Sequence, residues 1–394
     1  MHKVNLSGLH QKKIALVLSG GVVKAAAWHL GVSLALEELG LNFKHNHSLP
    51  DQLNEISTYV GSSAGALICL YLACGLRPAE LIEAHLKRKK TSIRPISYRE
   101  MLSLKRPVEM GHKTLSYDPF DGLPTFLKKV LHPLLKIDGI FSTKALRDYL
   151  DNYIIHSNNF EDYKANLFIV ATQLDYSRKC IFSKFNYPTS AHDQTSIYMT
   201  GFPIVETVAA SMSVPPLYAP FPLRNPFTEK IEYYIDGEIR DTLSTHVAID
   251  NECDFIISSW THTPYHYQDE VGSLINYGVP AICLQAIYLI IQKKILTSRA
   301  HRVQSMEIID VIQKYLKDQN FPNAHIQKLS DIIEKKLNYK KGIQFLDIFP
   351  KHENYRVFFN NTFSLSPTKT ALTVSMGYKR TFEIFKRFEW EGIR

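Results

Sequence analysis

The chain has 394 residues, 45% of them hydrophobic, and a formal net charge of +8 at pH 7. This apolar content supports a full core and excludes a disordered chain, and the length suits one large α/β domain with insertions or two domains. The positive charge is concentrated in residues 76–136, with thirteen Lys/Arg against six Asp/Glu, and in residues 292–342, with eleven against five. No nucleic-acid-binding motif accompanies it, so an anionic membrane surface is a better functional interpretation than nucleic acid.

Cysteines and hydrophobic segments indicate the compartment. The cysteines are scattered and odd in number, which predicts reduced, buried thiols at Cys69, Cys74, Cys180, Cys253 and Cys283. The first residues lack the hydrophobic segment of a secretory signal. The best candidate for a membrane span, residues 279–291, is shorter than the roughly 20 residues required and is predicted to be a buried or amphipathic helix. We expect a cytoplasmic or peripheral membrane protein, with signal-free export left open.

Two strand–turn–helix units open the chain. Residues 13–19 form an apolar strand that ends at Gly20-Gly21 and precedes a helix over 25–39. Residues 56–60 form a second strand, and a helix of small residues follows it. This alternation is typical of an α/β fold with a parallel sheet.

Residues 77–138 interrupt this alternation, because they are basic, rich in proline and without a long apolar strand. After them we predict a helix at 141–153, strands at 166–172 and 181–185, a helix at 204–212, strands at 231–235 and 254–260, a mainly helical stretch from 282 to 341, a strand at 355–360, and a last helix from 378. The predicted organisation is an α/β core over 1–75 and 139–270, a cap or lid insertion over 76–138, and a mainly helical C-terminal region over 271–394.

A candidate nucleophile lies at the end of the second strand. Gly61-Ser62-Ser63-Ala64-Gly65 has the G-x-S-x-G pattern in a strand–turn–helix setting. The glycines allow a sharp turn that exposes the Ser63 hydroxyl at a helix N-terminus, where the helix dipole favours negative charge. The motif alone is weak evidence, because turns of small residues between strands and helices are common.

Two further segments complete a candidate site. The turn at Gly20-Gly21-Val22 exposes backbone N–H groups that suit an oxyanion, where each donor is worth roughly 3–4 kcal/mol. Lys24 adds a positive charge there, or is an ordinary surface lysine. Asp236 is the candidate base, because it alone among three Asp-Gly pairs follows a strand of the α/β core. The alternative is a triad with a histidine base from His246, His262 or His266.

In this order, the segments make the chain resemble the patatin-like phospholipases. LSGGVVK with the following WHLGV resembles the family's oxyanion loop and helix, and GSSAG resembles its nucleophile elbow. Ala210-Ser211, with Pro215 and Pro220, resembles the segment before the catalytic Asp, and Asp236-Gly237 resembles the Asp-Gly motif. The resemblance covers about residues 12–260 and implies a three-layer α/β/α fold with a mainly parallel sheet.

The resemblance also implies a Ser–Asp dyad that needs neither histidine, metal nor organic cofactor. Ser63 would attack an ester carbonyl and Asp236 would take its proton. The remaining implied roles are oxyanion binding by Gly20, Gly21 and Val22 and support from Lys24, Gly61, Gly65 and Gly237. The expected substrates are acyl esters of glycerophospholipids or related lipids, cleaved as by a phospholipase A or lysophospholipase.

Two residues depart from the family pattern. Val22 stands where a third glycine is usual, and a β-branched residue tolerates positive φ badly, so we expect reduced turnover. Glu238 stands where a small residue is usual, and its carboxylate would raise the pKa of Asp236 or crowd the site. The alternatives left open are an impaired relative that binds lipid or protein, an acyltransferase using the same dyad, and an enzyme that needs an activating protein partner.

Overall fold

A computed structural model describes residues 7–9, 11–50, 52–86, 93–105, 120–131, 137–188, 195–337, 340, 342–359 and 362–387. The strands are β1 (Ile14–Leu18), β2 (Asn42–Phe43), β3 (Glu55–Ser62), β4 (Ser103–Leu104), β5 (Phe141–Ser142), β6 (Asn166–Gln173), β7 (Arg178–Phe182), β8 (Ser196–Met199), β9 (Phe221–Arg224), β10 (Ile231–Asp236), β11 (Phe255–Ser259) and β12 (Gln344–Ile348). The helices are α1 (Val22–Glu38), α2 (Ala64–Ala73), α3 (Pro78–Leu86), α4 (Tyr98–Met101), α5 (Thr125–Leu131), α6 (Lys144–Tyr153), α7 (Ile204–Ser211), α8 (Thr245–Asp250), α9 (Gly278–Asp318), α10 (Asn323–Leu337), α11 (Tyr355–Phe359) and α12 (Pro367–Arg387).

The central sheet is mainly parallel, as predicted. Its strands lie in the order β12-β11-β1-β3-β6-β10-β9, and the pairs from β12 to β6 are parallel. Leu18 at the end of β1 lies beside Gly61 of β3 and Ser259 of β11, so the turns after these strands meet at one edge. Strand β10 runs antiparallel to both β6 and β9.

Both faces of the sheet are covered, which explains the continuous apolar sequence of β1. Ile14, Leu16 and Leu18 contribute to one buried cluster, with residues of α1 and α2. Ala15 and Val17 contribute to a second cluster on the other face, with residues of α8. Alternate residues of one strand therefore enter two different cores, which is the pattern of a strand buried between two helical layers.

The C-terminal helix α12 packs closely on α1, the helix that follows the glycine turn. A Cβ placed on Gly31 of α1 would lie 2.0 Å from the carbonyl oxygen of Val374. A Cβ placed on Gly377 of α12 would lie 2.4 Å from the carbonyl oxygen of Trp28. The two helices therefore approach through glycine on both sides, and the C-terminal region belongs to the layer that supports the site.

Helix α9 differs from the buried or amphipathic helix predicted for residues 279–291. Its helical stretch, Leu274–Asp318, is long and apolar enough to cross a membrane by length and composition, yet only 11% of its most apolar part is buried. Tyr288, Ile291 and Ile295 contact the rest of the protein. The other apolar side chains of this part are mostly exposed.

Several predicted details are wrong. Residues 355–359 form the helix α11 instead of a strand, because adjacent Val357 and Phe358 are both buried and no alternating face exists. Strand β12 was not predicted, and it extends the sheet beside β11. The last helix begins at Pro367 instead of residue 378, and α6 begins after Phe141–Ser142, which pair with β4.

All five cysteines are free, but Cys283 is exposed and Cys74 only partly buried. The predicted cap lies partly outside the described residues, and α3, α4 and α5 fall within its range.

We expect Gly31→Ala to lower the free energy of unfolding by about 2 kcal/mol or more, because the methyl group forces α1 away from Val374. Ser33→Ala on the same helix is the matched control, since the Ser33 hydroxyl is buried without a hydrogen-bond partner among the described residues. Its loss is expected to be neutral or slightly stabilising. Urea unfolding of both variants tests this, and equal stabilities would contradict the close approach.

Candidate active site

Ser63 occupies a strained turn between β3 and α2. Its φ of 52° is positive, which is uncommon outside glycine and is typical of a nucleophile elbow. The N–H of Ser63 donates to Ser211 Oγ (2.8 Å), and that hydroxyl donates to the carbonyl of Val170 (2.6 Å). Ser211 of α7 thus fastens the elbow to β6. Sequence analysis identified the Ala210-Ser211 segment but not the role of Ser211, because that role depends on a contact between residues far apart in the chain.

The glycines around the elbow allow backbones to touch. A Cβ on Gly65 would lie 2.2 Å from the Leu18 carbonyl oxygen, and one on Gly61 would lie 2.5 Å from Ala66 Cα. A Cβ on Gly237 would lie 2.3 Å from the Val170 carbonyl oxygen. These positions exclude any side chain, so α2 can lie against the end of β1 and the turn after Asp236 against β6.

Asp236 lies beside Ser63 at the end of β10. Its side chain is buried, and its Oδ1 accepts a hydrogen bond from the Glu238 N–H (2.8 Å), whereas Oδ2 has no well-formed hydrogen bond within the described residues. Burial raises the pKa of Asp236 to about 7, although the nearby Ser63 hydroxyl and the Glu238 N–H act in the opposite direction. A carboxylate with this pKa is a competent general base near neutral pH.

The glycine turn adopts left-handed backbone conformations. Gly21 has a φ of 125° and Val22 a φ of 56°, a region that glycine adopts without strain. A β-branched residue adopts this conformation only with strain. In the described part of the chain, the N–H groups of Gly21 and Val22 donate to no acceptor, whereas those of Val23 and Lys24 donate to the Thr362 carbonyl (3.1 and 3.4 Å). Within the described residues, the N–H groups of Gly21 and Val22 therefore remain available as donors.

The remaining donor predicted for the oxyanion turn, the Gly20 N–H, already makes a hydrogen bond. Gly20 N–H donates to Glu238 Oε1 at 2.8 Å. The residue Glu238 is partly exposed as a whole, but its carboxyl end is buried, and Oε2 makes no well-formed hydrogen bond to a described residue. Burial and, secondly, the negative charge of Asp236 raise the pKa of Glu238 to about 8. The crowding predicted for Glu238 is therefore a hydrogen bond, in which its carboxyl group occupies the Gly20 N–H.

Lys24 and His262 lie next to the turn, whereas His246 and His266 contact other residues. Lys24 is buried rather than a surface lysine, and its ammonium donates to the Tyr288 hydroxyl of α9 (2.5 Å). His262 lies close to Gly21, and burial, then the positive charge of Lys24, lower its pKa to about 3, so it is neutral. His246 lies 3.8 Å from Asp241 and His266 packs on His352, so each contacts a group outside the Ser63–Asp236 pair.

A cavity of about 310 Å³ opens beside Ser63. Its walls are mainly apolar and include Val22, Ala26, Leu30, Leu67 and Met212, with further residues from α4 and the segment before α12. This volume is near the lower end of the roughly 300–1,000 Å³ typical of small-molecule pockets. The site therefore combines a strained serine, a buried carboxylate and a mainly apolar cavity. Among the described residues, no group of three or more His, Cys, Asp or Glu could hold a metal ion.

Comparison with known proteins identifies the family. The family model for patatin-like phospholipase matches residues 16–249, a range that contains the glycine turn, the elbow and Asp236. Among solved structures, VipD from Legionella pneumophila is similar at 17% identity and a TM-score of 0.39, over 96% of this chain and 67% of that one. The search of curated proteins gave no match. Because the family model covers more than half of the residues, the chain belongs to the patatin-like phospholipase family.

Proposed function

We propose that the chain is a lipid acyl hydrolase of the phospholipase A or lysophospholipase type, with Ser63 as nucleophile and Asp236 as base. The observation that carries this proposal is the adjacency of the two side chains: a strained serine beside a buried carboxylate whose pKa is raised to about 7. The N–H groups of Gly21 and Val22 also support it, because they donate to no described residue and Val22 lines the same cavity as Ser63.

The reaction would proceed in two halves. Ser63 Oγ forms a bond to the ester carbonyl carbon, its proton moves to Asp236, and the carbonyl electrons move to the oxygen held by the turn. Collapse breaks the ester C–O bond, and the leaving alcohol takes the proton from Asp236. Water then attacks the acyl-Ser63 ester with Asp236 again as base, which releases the fatty acid and restores Ser63.

The apolar cavity supports an acyl chain as the group that is bound. Its lining includes Ser63 itself together with Leu30, Leu67, Ile68 and Leu146, so an acyl chain in the cavity would present its ester at the nucleophile. Transfer of the acyl group to an acceptor other than water uses the same residues, and product analysis distinguishes the two reactions. The second candidate function is lipid binding with little catalytic activity. The strain at Val22 and the hydrogen bond from the Gly20 N–H to the Glu238 carboxyl favour it.

We also infer that the exposed apolar part of α9 binds an anionic membrane. The exposed apolar side chains in the N-terminal part of this helix include Val279, Ile282, Ile287, Leu289 and Ile290. No Asp or Glu occurs between Glu270 and Glu307, whereas Lys293, Lys294, Arg299 and Arg302 do. Arg299 and Arg302 both lie near Asp347, so the two lysines are the cations closest in sequence to the apolar face.

This combination of charge and apolar surface fits a helix that lies in the head-group region of a bilayer. A helix that is apolar on all sides needs cover from protein or lipid. In a chain with lipid substrates, an anionic bilayer supplies both the apolar cover and the charge that complements the lysines.

We expect Ser63→Ala and Asp236→Asn each to reduce ester hydrolysis at least about a thousandfold, because each removes one partner of the proton transfer. His266→Ala is the control and should retain most of the activity. The assay is hydrolysis of a short-chain fatty acyl ester, with circular dichroism to verify folding. A severe loss in a histidine variant with Asp236→Asn still active would indicate a triad instead.

We expect Val22→Gly to raise hydrolysis several-fold, because glycine adopts a φ near 56° without strain and leaves the loop donors unobstructed. Val22→Ala keeps a Cβ, and therefore the strained backbone, and should stay closer to wild type. The two variants are compared by kcat for the same ester. Unchanged or lower activity in Val22→Gly would contradict a damping role for Val22.

We expect Ile290→Glu to weaken binding to vesicles with anionic lipid about tenfold or more, because it places a charge in the proposed apolar face. Val311→Glu is the matched control, since Val311 is similarly exposed on the same helix but lies beyond Arg302, far from the proposed apolar face. Vesicle sedimentation at low and high salt measures both. Equal loss in the two variants, or wild-type binding that is insensitive to salt, would contradict the proposal.

A further inference from the structure

Glu238 connects the base of the proposed dyad to the oxyanion turn. Its backbone N–H donates to Asp236 Oδ1, and its carboxyl accepts from the Gly20 N–H. A Cβ placed on Gly20 would lie 2.7 Å from Glu238 Cγ and 3.2 Å from Ser63 Oγ. The Glu238 side chain and the nucleophile therefore flank the same glycine.

The surroundings of the Glu238 carboxyl are mostly polar and negative. Asp236 and Asp241 on its own segment are the acidic groups nearby, and Ser62 of β3 and the Gly20 N–H supply polar hydrogens. Lys179 of β7 and His246 of α8 face Asp241, at 2.9 and 3.8 Å. Lys294 of α9 donates to the Ile239 carbonyl next in sequence.

The charge of Glu238 matters at the moment of attack. Asp236 becomes neutral when it takes the Ser63 proton, and the negative charge then lies on the substrate oxygen at the turn. An ionised Glu238 would place a second negative charge beside that oxygen, and it would hold the Gly20 N–H in a charge-assisted hydrogen bond, about twice as strong as a neutral one. A protonated Glu238 removes the repulsion and holds the Gly20 N–H more weakly.

We propose that Glu238 is a proton-controlled gate of the oxyanion turn: ionised, it occupies the Gly20 N–H and blocks turnover, and protonated, it permits turnover. The gate rests on the proposed function, because it acts on the same Ser63–Asp236 centre. It is a positioning role, since Glu238 acts through the turn and not on the ester itself.

The gate has a definite pH dependence. Turnover needs Asp236 ionised and Glu238 protonated at the same time. The pKa of Asp236 is raised to about 7 and that of Glu238 to about 8. Activity therefore rises as Asp236 ionises and falls as Glu238 ionises, which gives a bell-shaped profile whose alkaline limb comes from Glu238. The two values belong to the interacting pair.

Glu238→Gln tests the gate, because the amide oxygen still accepts from Gly20 but the side chain cannot ionise. The measurement is the rate at which a fluorescent fluorophosphonate labels Ser63 between about pH 5 and pH 10. We expect the variant to lose the alkaline limb and keep the acid limb, so that it exceeds wild type about tenfold one pH unit above the Glu238 pKa. Glu229→Gln, the same substitution at an exposed turn, should keep the wild-type profile.

The outcomes separate the gate from the proposed function. Labelling of wild type with an alkaline limb that persists in Glu238→Gln overturns the gate and leaves the dyad intact. Labelling of Glu238→Gln without labelling of wild type at any pH overturns control by protonation, because protonated Glu238 should permit labelling, and it leaves the dyad intact. Absence of labelling in both, at every pH, overturns the gate and the dyad together. If Glu238→Gln does not fold, Glu238→Gly should lose the alkaline limb in the same way, and retention of that limb would overturn the gate.

Discussion

The candidate site depends on where β10 ends. The sequence argument placed Asp236 at the end of a strand of the α/β core, and this strand, β10, runs antiparallel to β6. Asp236 pairs with Ala171, next to Val170, which is level with Ser62 at the end of β3. Strand β10 therefore starts at the carboxyl end of β6, runs back along it and ends beside the elbow. Its direction is opposite to that of the strand bearing the nucleophile, yet both ends meet at the same point.

The C-terminal region supports the glycine turn through three contacts. The Thr362 carbonyl accepts from the first helical N–H groups of α1, and Tyr288 of α9 holds the Lys24 ammonium. Gly31 allows α12 to lie against α1. Backbone hydrogen bonds, the hydrogen bond from Lys24 to Tyr288 and close packing therefore all connect the C-terminal region to α1, the helix that follows the turn. A change in α9 or α12 therefore has a direct physical route to the donors at Gly21 and Val22.

The local elements of the site could be predicted from sequence, whereas its long-range contacts could not. A fully apolar strand and a glycine turn define β1 and its loop, and G-x-S-x-G defines the elbow, because these patterns act over a few residues. The partners Ser211 for the elbow and Glu238 for Gly20 lie 148 and 218 residues away. The strand predicted at 355–360 failed for a similar reason, since tertiary packing of Val357 and Phe358 outweighed their β propensity.

The two departures from the family pattern act on the same row of backbone donors. Val22 strains the last donor of the turn, and Glu238 occupies the first, which leaves Gly21 as the donor that neither affects directly. The strain at Val22 arises from a β-branched side chain that carries no titratable group, so it does not respond to pH. The hydrogen bond from Gly20 to Glu238 depends on a carboxyl whose raised pKa makes it responsive near neutral pH. In the proposed mechanism, the strain at Val22 would weaken oxyanion binding at every pH, whereas the Glu238 carboxyl would make oxyanion binding depend on pH.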